Sequence, residues 1–280
     1  MDKLLIIDGN NLLFQMFYGM PSKIYNKNKE TIHATIGFIS YVLKQIKNYG
    51  ITKCCVVFDY DTSTERIELC SEYKGNRVIN WNELPQDEVP FNEEDKIIKC
   101  LNYLNIKVLH SKNMEADDLI ASLTKLYEKN NEILISSFDS DFFQLINKNV
   151  SILRYRGKLT QIYDEEYFIN KFGFEPSKYV LYKSIVGDTS DNICGVLGIG
   201  RVRATSLVNK YSSLEEMKLD NNENKYKNQV LLNDELVIRN IKLIKLKYHD
   251  SINYDINYFS FDTDKIKMTN SQILSVCDIF

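Results

Sequence analysis

Three short apolar segments of this chain each lead to an aspartate. They are KLLII before Asp8, CCVVF before Asp59, and EILISS shortly before Asp139. Apolar runs of this length predict buried β-strands. Helical patterns lie between them at residues 31–48 and 116–129, and this alternation favours an α/β fold with a largely parallel sheet. Because α/β sheets bind ligands at the carboxyl ends of their strands, we expect the three aspartates to lie at one edge.

The remaining segments differ in character along the chain. KVLH at 107–110 predicts another strand, whereas residues 62–95 are polar and lack a clear core pattern. The last part of the chain is mostly helical in pattern, with amphipathic segments within 229–248. We therefore predict an α/β domain over residues 1–163 and a helical region over residues 164–280.

Composition excludes several classes of protein. With 280 residues, 44% of them hydrophobic, the chain can form a globular core. No apolar run approaches the roughly 18 residues of a membrane span, and the first residues lack a signal-peptide pattern, so we expect a cytoplasmic protein with no membrane partner. The six cysteines contain no CxxC pair and the three histidines are scattered, which disfavours disulfides and zinc.

Further carboxylates occur in pairs. Residues three apart share a face of a helix, and residues two apart share a side of an extended chain. The pairs with these spacings are Glu115 and Asp118, Asp188 and Asp191, and Asp139 and Asp141. The candidate set is completed by Asp8, Asp59 and Asp117.

These nine acids predict a metal site. Oxygen ligands without paired His or Cys select hard cations, either Mg²⁺ or Mn²⁺, with Ca²⁺ as an alternative. Many carboxylates around two ions suit phosphodiester hydrolysis. Any one of them alone could equally be a helix N-cap or a turn residue. The net charge of −3 does not exclude a nucleic-acid partner, since setting these nine of the 38 acidic residues aside leaves 29 against 35 Lys and Arg.

The chain resembles the 5′-nuclease family, which includes the 5′→3′ exonuclease domain of bacterial DNA polymerase I, phage 5′-exonucleases and flap endonucleases. The stretches that carry the resemblance occur in family order and span most of the chain. They are IIDGNNLLF (6–14), VVFD (56–59), EYKGNR (72–77), EADD (115–118), SFDSDFFQL (137–145) and VGDTSDNICGVLGIG (186–200). The implied fold is a PIN-like or resolvase-like, mostly parallel sheet flanked by helices.

The resemblance also implies roles for particular residues. All nine acids match the family's metal ligands, and five of them, with Lys74 and Arg77, would form the catalytic group. Those five are Asp8, Asp59, Glu115, Asp117 and Asp139. A helical arch is implied at about residues 60–95, with Arg66, Lys74 and Arg77 as its DNA contacts, and Phe14 would stack on a base near the cut. The chain departs from the family pattern at Gln15, Glu65 and Cys70.

The glycine-rich stretch resembles the family's helix–three-turn–helix, here at about residues 180–212. The resemblance implies that this element holds duplex DNA by its backbone. The implied DNA contacts are Gly198, Gly200, Arg201 and Arg203. A K⁺ ion would be bound by the main-chain carbonyls of Gly195, Val196 and Ile199.

The resulting hypothesis is a structure-specific 5′ nuclease that hydrolyses DNA with two Mg²⁺ or Mn²⁺ ions in replication and repair. Its expected partners are DNA with 5′ ends, flaps or nicks, and RNA primers remain open. We expect a monomer and, because no polymerase domain follows residue 280, a stand-alone enzyme. The alternatives are a PIN-like ribonuclease and a non-catalytic module that binds branched DNA. The sequence leaves the balance between exonuclease and flap endonuclease open.

Overall fold

A computed structural model describes residues 1–59, 64–77, 79–112 and 114–280. Its main feature is a six-stranded sheet in the order β3-β2-β1-β4-β5-β6, in which the last strand is antiparallel to its neighbour and the others are parallel. The strands are β1 (Lys3–Asp8), β2 (Lys53–Asp59), β3 (Lys107–Ser111), β4 (Glu132–Ser136), β5 (Val150–Arg154) and β6 (Gln161–Tyr163). This sheet, flanked by helices, confirms the predicted fold class.

Twelve α-helices are present among the described residues. The helices are α1 (Gly9–Gly19), α2 (His33–Tyr49), α3 (Thr64–Leu69), α4 (Glu94–Tyr103), α5 (Ala116–Tyr127), α6 (Glu165–Phe172), α7 (Tyr179–Val186), α8 (Arg201–Lys210), α9 (Leu214–Leu219), α10 (Lys225–Leu231), α11 (Asp234–Ile244) and α12 (Asn270–Val276). A short antiparallel pair, β7 (Gly187–Asp188) and β8 (Ile193–Cys194), joins α7 to the glycine-rich loop before α8.

Successive side chains of β1 point to opposite faces of the sheet, and each face has its own core. Leu4 and Ile6 pack in a core with α5 that continues into α7, α8 and α11. Leu5 and Ile7 pack in a second core with α1, α2, α4 and α12. All four side chains are fully buried, and burial stabilises the fold by about 1.5–3 kcal/mol for each. The α/β part and the helical part therefore share a core, and the predicted boundary after residue 163 stays a prediction.

Strand register places the predicted acids at one edge. Asp8 pairs with Val57 of β2, and Ile7 pairs with Ser136 of β4. The strands β2, β1 and β4 are adjacent and parallel, so their carboxyl ends lie side by side. This edge receives Asp8, Asp59 and the loop that carries Asp139.

The predicted arch segment crosses the same edge. Its described part consists of α3 followed by four short 3-10 helices, at residues 75–77, 81–83, 86–88 and 90–93. Residues 60–63 and 78 of the predicted arch lie outside the described residues. Within the described chain, no helix has the length and apolar character needed to cross a lipid bilayer.

Candidate metal and nucleic-acid site

Asp8 is both the last residue of β1 and the N-cap of α1. Its Oδ1 accepts a hydrogen bond from the Asn11 amide (3.1 Å), and its Oδ2 accepts one from Ser137 Oγ (2.7 Å). Burial raises the pKa of the Asp8 carboxyl to about 7, and the negative charges of Asp139 and Asp59 add to the rise. The local turn thus fixes a carboxylate that has little access to water.

Asp59 joins the end of β2 to the start of α5. Its Oδ1 accepts a hydrogen bond from the Ala116 amide (2.7 Å) at the helix N-terminus, a position where negative charge is favourable. Asp117 lies in the first turn of the same helix. Burial raises the pKa of Asp117 well above its usual range, and the carboxylates of Asp139, Asp8 and Asp59 raise it further. Asp117 therefore lies in the field of three other acids.

Asp139 follows β4 and is close in space to most of the other acids. Its amide donates to Ser137 Oγ (2.9 Å), and its Oδ1 accepts a hydrogen bond from the Asp141 amide (2.8 Å). Its charge raises the pKa of Asp8, Asp117, Asp141 and Asp191. The structure thus brings acids from three strand ends and from the β7–β8 region together around Asp139.

Basic side chains neutralise some of these acids. Lys183 on α7 forms ion pairs with both Asp141 and Asp188. Arg77 pairs with Asp191. These pairs tie the helical region to the edge of the sheet.

Lys74 and Arg77, the predicted catalytic cations, lie beside the acids. Lys74 Nζ lies 2.9 Å from Glu115 Oε2. The side chains of Lys74 and Arg77 keep 28% and 47% of their surface exposed. They can therefore reach an anion from solvent.

Lys183 was not predicted from the sequence. It is a buried lysine on the otherwise apolar helix YVLYKSIV. A buried lysine requires a negative partner. A single lysine within an apolar helical segment was therefore the feature of the sequence that could have indicated an ion pair at this position. The two carboxylates that satisfy it, Asp141 and Asp188, are both members of the predicted set.

Arg66 and Asp118 are placed differently from the prediction. The Arg66 side chain is only 2% exposed. Its Nη1 and Nη2 donate to the two carboxylate oxygens of Asp118 at 2.9 and 2.8 Å, and its Nε donates to the Leu243 carbonyl (3.1 Å). Asp118 also accepts a hydrogen bond from the Lys247 amide (2.9 Å). Arg66 is thus buried within the fold, and both oxygens of Asp118 accept hydrogen bonds from other residues of the chain, so neither side chain is free for its predicted contact.

Four acids differ from the rest because they form no ion pair with a basic side chain, although Lys74 is close enough to lower the pKa of Asp59 and Asp117 somewhat. In the described ranges, no Lys or Arg lies within ion-pairing distance of Asp8, Asp59, Asp117 or Asp139, whereas the other five acids are all paired. Carboxylates gathered without ion-pair partners repel one another. Among the described residues, no group of three or more His, Cys, Asp or Glu side chains is arranged closely enough to hold a metal ion. The donor set nevertheless fits a hard divalent cation, since it offers only oxygen ligands and gathers four carboxylates that form no ion pair.

The glycine-rich loop is closely packed on one side and open on the other. A Cβ at Gly195 would lie 2.1 Å from the Val186 carbonyl oxygen, so only glycine fits there. Gly198 adopts a left-handed conformation with φ of +79°, which also favours glycine. The Val196 amide donates to Ile185 (2.8 Å) and the Ile199 amide donates to Val196 (3.0 Å). The predicted K⁺ carbonyls thus belong to a well-defined turn.

The open side of the loop carries basic residues. Gly200 is the N-cap of α8, and Arg201 and Arg203 are exposed in its first turn. The Arg203 guanidinium lies 4.5 Å from the Tyr226 ring centroid and donates to the Gly198 carbonyl. This surface has the charge and exposed backbone that suit a phosphate, and its predicted DNA contacts stay predictions.

Phe14 is half-buried on α1. Its ring packs edge-on against Trp81 and Phe91, with centroids 5.8 and 5.3 Å away. These neighbours of Phe14 were not predicted from the sequence.

Two family models match the chain in succession. The model described as 5′-3′ exonuclease, N-terminal resolvase-like domain, matches residues 3–173. The model described as 5′-3′ exonuclease, C-terminal SAM fold, matches residues 174–267. Together they cover nearly the whole chain.

Individual proteins show the same likeness. A 5′-3′ exonuclease of Mycoplasmopsis pulmonis is 36% identical over 216 residues, which cover 77% of this chain and 69% of that protein. DNA polymerase I of Bacillus subtilis is 31% identical over 247 residues, covering 84% of this chain and 27% of the polymerase. The chain therefore spans most of the first relative but only about a quarter of the second.

Solved structures share the fold at lower identity. The 5′-exonuclease of bacteriophage T5 with bound zinc has a TM-score of 0.72 at 23% identity, covering 98% of this chain and 99% of that chain. The catalytic core of Rad2 in complex with a DNA substrate has a TM-score of 0.60 at 18% identity, covering 99% and 93%. These likenesses extend over both parts of the chain.

Proposed function

Because this chain belongs to the 5′-3′ exonuclease family, we propose that it is a divalent-metal-dependent nuclease that hydrolyses DNA phosphodiesters at 5′ ends and flaps. The observation that carries the proposal is the group of four carboxylates without basic partners, Asp8, Asp59, Asp117 and Asp139, at the carboxyl edge of the sheet. Such a group is unfavourable by itself and becomes favourable when cations bind.

These four acids would hold one Mg²⁺ or Mn²⁺. A second site would use the acids that now pair with Lys183 and Arg77, namely Asp141, Asp188 and Asp191. When bound, two such ions lower the pKa of the attacking water and stabilise the attacking and leaving oxygens. The family fold supports this reading, since a T5 5′-exonuclease structure contains divalent metal.

The chain's own cations complete the site. Lys74 and Arg77 lie on one short segment whose backbone is fixed to the helical region, because the Lys74 amide donates to the Asp191 carbonyl (3.0 Å). Their partly exposed side chains can exchange a carboxylate partner for the scissile phosphate. Fixed cations beside the reacting phosphate stabilise the charge that develops in the transition state.

Duplex binding is assigned to the glycine-rich loop. Amides at Gly198 and Gly200, with Arg201 and Arg203, would hold backbone phosphates. K⁺ would bind the carbonyls of Gly195, Val196 and Ile199. Solved structures of a T5 flap endonuclease and of Rad2 contain DNA, which supports a DNA partner for this chain. We propose that the protein acts as a monomer, with RNA primers among its substrates.

The test is cleavage of a labelled 5′-flap duplex with Mg²⁺ or with EDTA. Wild type should cut only with Mg²⁺, and Asp139→Asn should lower the rate by orders of magnitude while DNA binding is kept. Asp264→Asn is the matched control, because that aspartate is exposed and its contacts are local.

Other outcomes would contradict the proposal. Full activity in Asp139→Asn would remove the site assignment. A bound duplex that is never cut would favour a binding module, and cleavage restricted to RNA would favour a ribonuclease.

A further inference from the structure

Three neutral polar side chains connect the strand ends that carry the acids without ion pairs. We call Asn10, Asn11 and Ser137 the polar clamp. The two asparagines lie in the first turn of α1, directly after Asp8, and the serine follows β4. None of the three is charged, and the proposed hydrolysis gives none of them a role.

The two asparagines reach the strands on either side of β1. Asn10 Oδ1 accepts a hydrogen bond from the Asp59 amide at the end of β2 (2.9 Å). Asn11 Oδ1 accepts one from the Phe138 amide, just after β4 (3.0 Å). Consecutive residues of one helical turn therefore fix the backbone at the ends of both neighbouring strands.

The Ser137 hydroxyl connects two of the acids directly. Its Oγ donates to Asp8 Oδ2 (2.7 Å) and accepts a hydrogen bond from the Asp139 amide (2.9 Å). Ser137 is only 3% exposed, so water has little access to these bonds. One hydroxyl thus sets the position of the Asp8 carboxylate relative to the backbone of Asp139.

Close packing at Gly9 lets α1 begin near enough to β2 for the clamp to form. A Cβ at Gly9 would lie 2.7 Å from the Phe58 ring and 2.8 Å from the Val57 carbonyl oxygen. Any larger residue would push the first turn of α1 away from the strand, and the hydrogen bond between Asn10 and the Asp59 amide would lengthen. The local sequence therefore holds the clamp at a short distance from both strands.

We propose that the polar clamp positions the carboxylates of Asp8, Asp59 and Asp139 for a divalent cation, with Ser137 as its central member. The inference rests on the proposed function for the presence of the ion. Carboxylates that bind metals are themselves held by hydrogen bonds, and loss of such a partner typically weakens metal affinity or activity about 10–100-fold. The clamp residues are positioning residues, since they act through the acids and not on the reacting atoms.

The clamp orders the acids and leaves their charge in place. A carboxylate offers about four acceptor positions on its two oxygens. The Asn11 amide and the Ser137 hydroxyl occupy two of those on Asp8, so Asp8 can bind a cation while both hydrogen bonds persist. An ammonium group such as that of Lys183, which pairs with Asp141, instead competes with a cation for the carboxylate.

Manganese binding in the absence of DNA tests the clamp separately from catalysis. The electron paramagnetic resonance signal of free Mn²⁺ gives the Kd of each variant by titration. Ser137→Ala should raise the Kd of the tightest ion about 10–100-fold, and Ser137→Thr should bind nearly as wild type does because it keeps the hydroxyl. A Ser137→Ala variant with the wild-type Kd would overturn the proposal.

Ser122→Ala is the matched control. Ser122 is also buried, at 5% exposed, and its Oγ also donates one hydrogen bond and accepts one. Its partners are backbone groups rather than a carboxylate, namely the Asp118 carbonyl (2.7 Å) and the His249 amide (3.0 Å). Ser122→Ala should therefore keep the wild-type Kd for Mn²⁺. A loss of affinity as large as that of Ser137→Ala would assign the effect to a loosened fold and overturn the proposal.

Asn11→Ala tests the clamp at a residue that is only half-buried. This variant loses the acceptor of the Phe138 amide and should raise the Kd for Mn²⁺ by a smaller factor than Ser137→Ala does. If Ser137→Ala fails to fold, Asn11→Ala decides, and the wild-type Kd in that variant would then overturn the proposal.

Flap cleavage by the same variants separates this proposal from the proposed function. If wild type cuts the flap with Mg²⁺ and Ser137→Ala binds Mn²⁺ like wild type, the clamp is wrong and the nuclease assignment stands. If Ser137→Ala loses Mn²⁺ affinity but wild type cuts no DNA, the clamp stands and the nuclease assignment fails. A wild-type protein that binds no Mn²⁺ would overturn the clamp, and the cleavage assay would then decide the nuclease assignment alone.

Discussion

Replacing Arg66 by methionine tests the finding that this arginine is a buried structural residue rather than a DNA contact. The guanidinium is 2% exposed and donates to both oxygens of Asp118. It also lies 3.1 Å from Glu115 Oε2 and donates to the Leu243 carbonyl. It therefore joins α3 both to the first turn of α5 and to the end of α11.

The expected loss of stability is large. Removing one partner of a buried ion pair leaves the other charge without compensation and costs about 3–5 kcal/mol. At about 2 °C per kcal/mol for a chain of this length, the melting temperature should fall by about 6–10 °C. Methionine fills much of the arginine volume, so the loss should come from the orphaned carboxylates and not from a cavity.

Urea unfolding and thermal melting would measure this change. The control is Glu65→Ala, because Glu65 is the neighbouring residue and its ion pair with Lys247 is at the surface, where such pairs contribute about 0–1 kcal/mol. The double variant Arg66→Met with Asp118→Leu should lose less than the sum of the two single losses, since the orphaned charge is gone.

A different result would refute this reasoning. If Arg66→Met melted like wild type but bound DNA more weakly, with a smaller dependence of affinity on salt, Arg66 would be a phosphate contact. The burial and the bidentate pair with Asp118 would then not describe the protein in solution.

Two further predictions concern stability. In EDTA the melting temperature should fall as pH rises from about 4 to about 7, because burial raises the pKa values of Asp8 and Asp141 to about 7 and the folded state therefore binds protons that the unfolded state has released. Adding Mg²⁺ at pH 7.5 should restore the melting temperature. A melting temperature that does not change with pH in EDTA would contradict the clustering of these acids. Gly195→Ala should destabilise the protein by about 3 kcal/mol, since its Cβ would overlap the Val186 carbonyl. The control Gly200→Ala meets no atom within 4 Å and should melt within about 1 kcal/mol of wild type; equal melting of the two variants would show that the loop packs differently.

The sheet could be predicted from the sequence because its signal is local. The segments KLLII, CCVVF and KVLH lie in observed strands, EILISS lies in β4 except for its last residue, and the predicted helices at 31–48 and 116–129 correspond to α2 and α5. The family predicted from the short motifs is confirmed.

Elements with weak periodicity were missed. Helix α1 follows Asp8 directly; the N-cap role of Asp8 was considered only as an alternative to metal binding, and no helix was predicted there. Helix α12 has a capping box formed by Thr269 and Gln272, yet only a few apolar residues, and it is stabilised by packing on α2 and α4. Such helices depend on tertiary contacts that no local window contains.

The charge partners could not be predicted either. Arg66 meets Asp118 across 52 positions and Leu243 across 177. Such long-range contacts determine which acids form ion pairs with basic side chains and which do not. The sequence therefore predicted nine acids as one set, whereas the structure divides them into five with a basic partner and four without.

Anomalous diffraction from a crystal soaked in MnCl₂ is the most direct measurement of the central hypothesis, that the four unpaired acids form a divalent-metal site. We predict a strong manganese peak bounded by the carboxylates of Asp8, Asp59, Asp117 and Asp139, and its loss in an Asp139→Asn crystal soaked in the same way. A well-ordered wild-type crystal with no peak among these four side chains would contradict it.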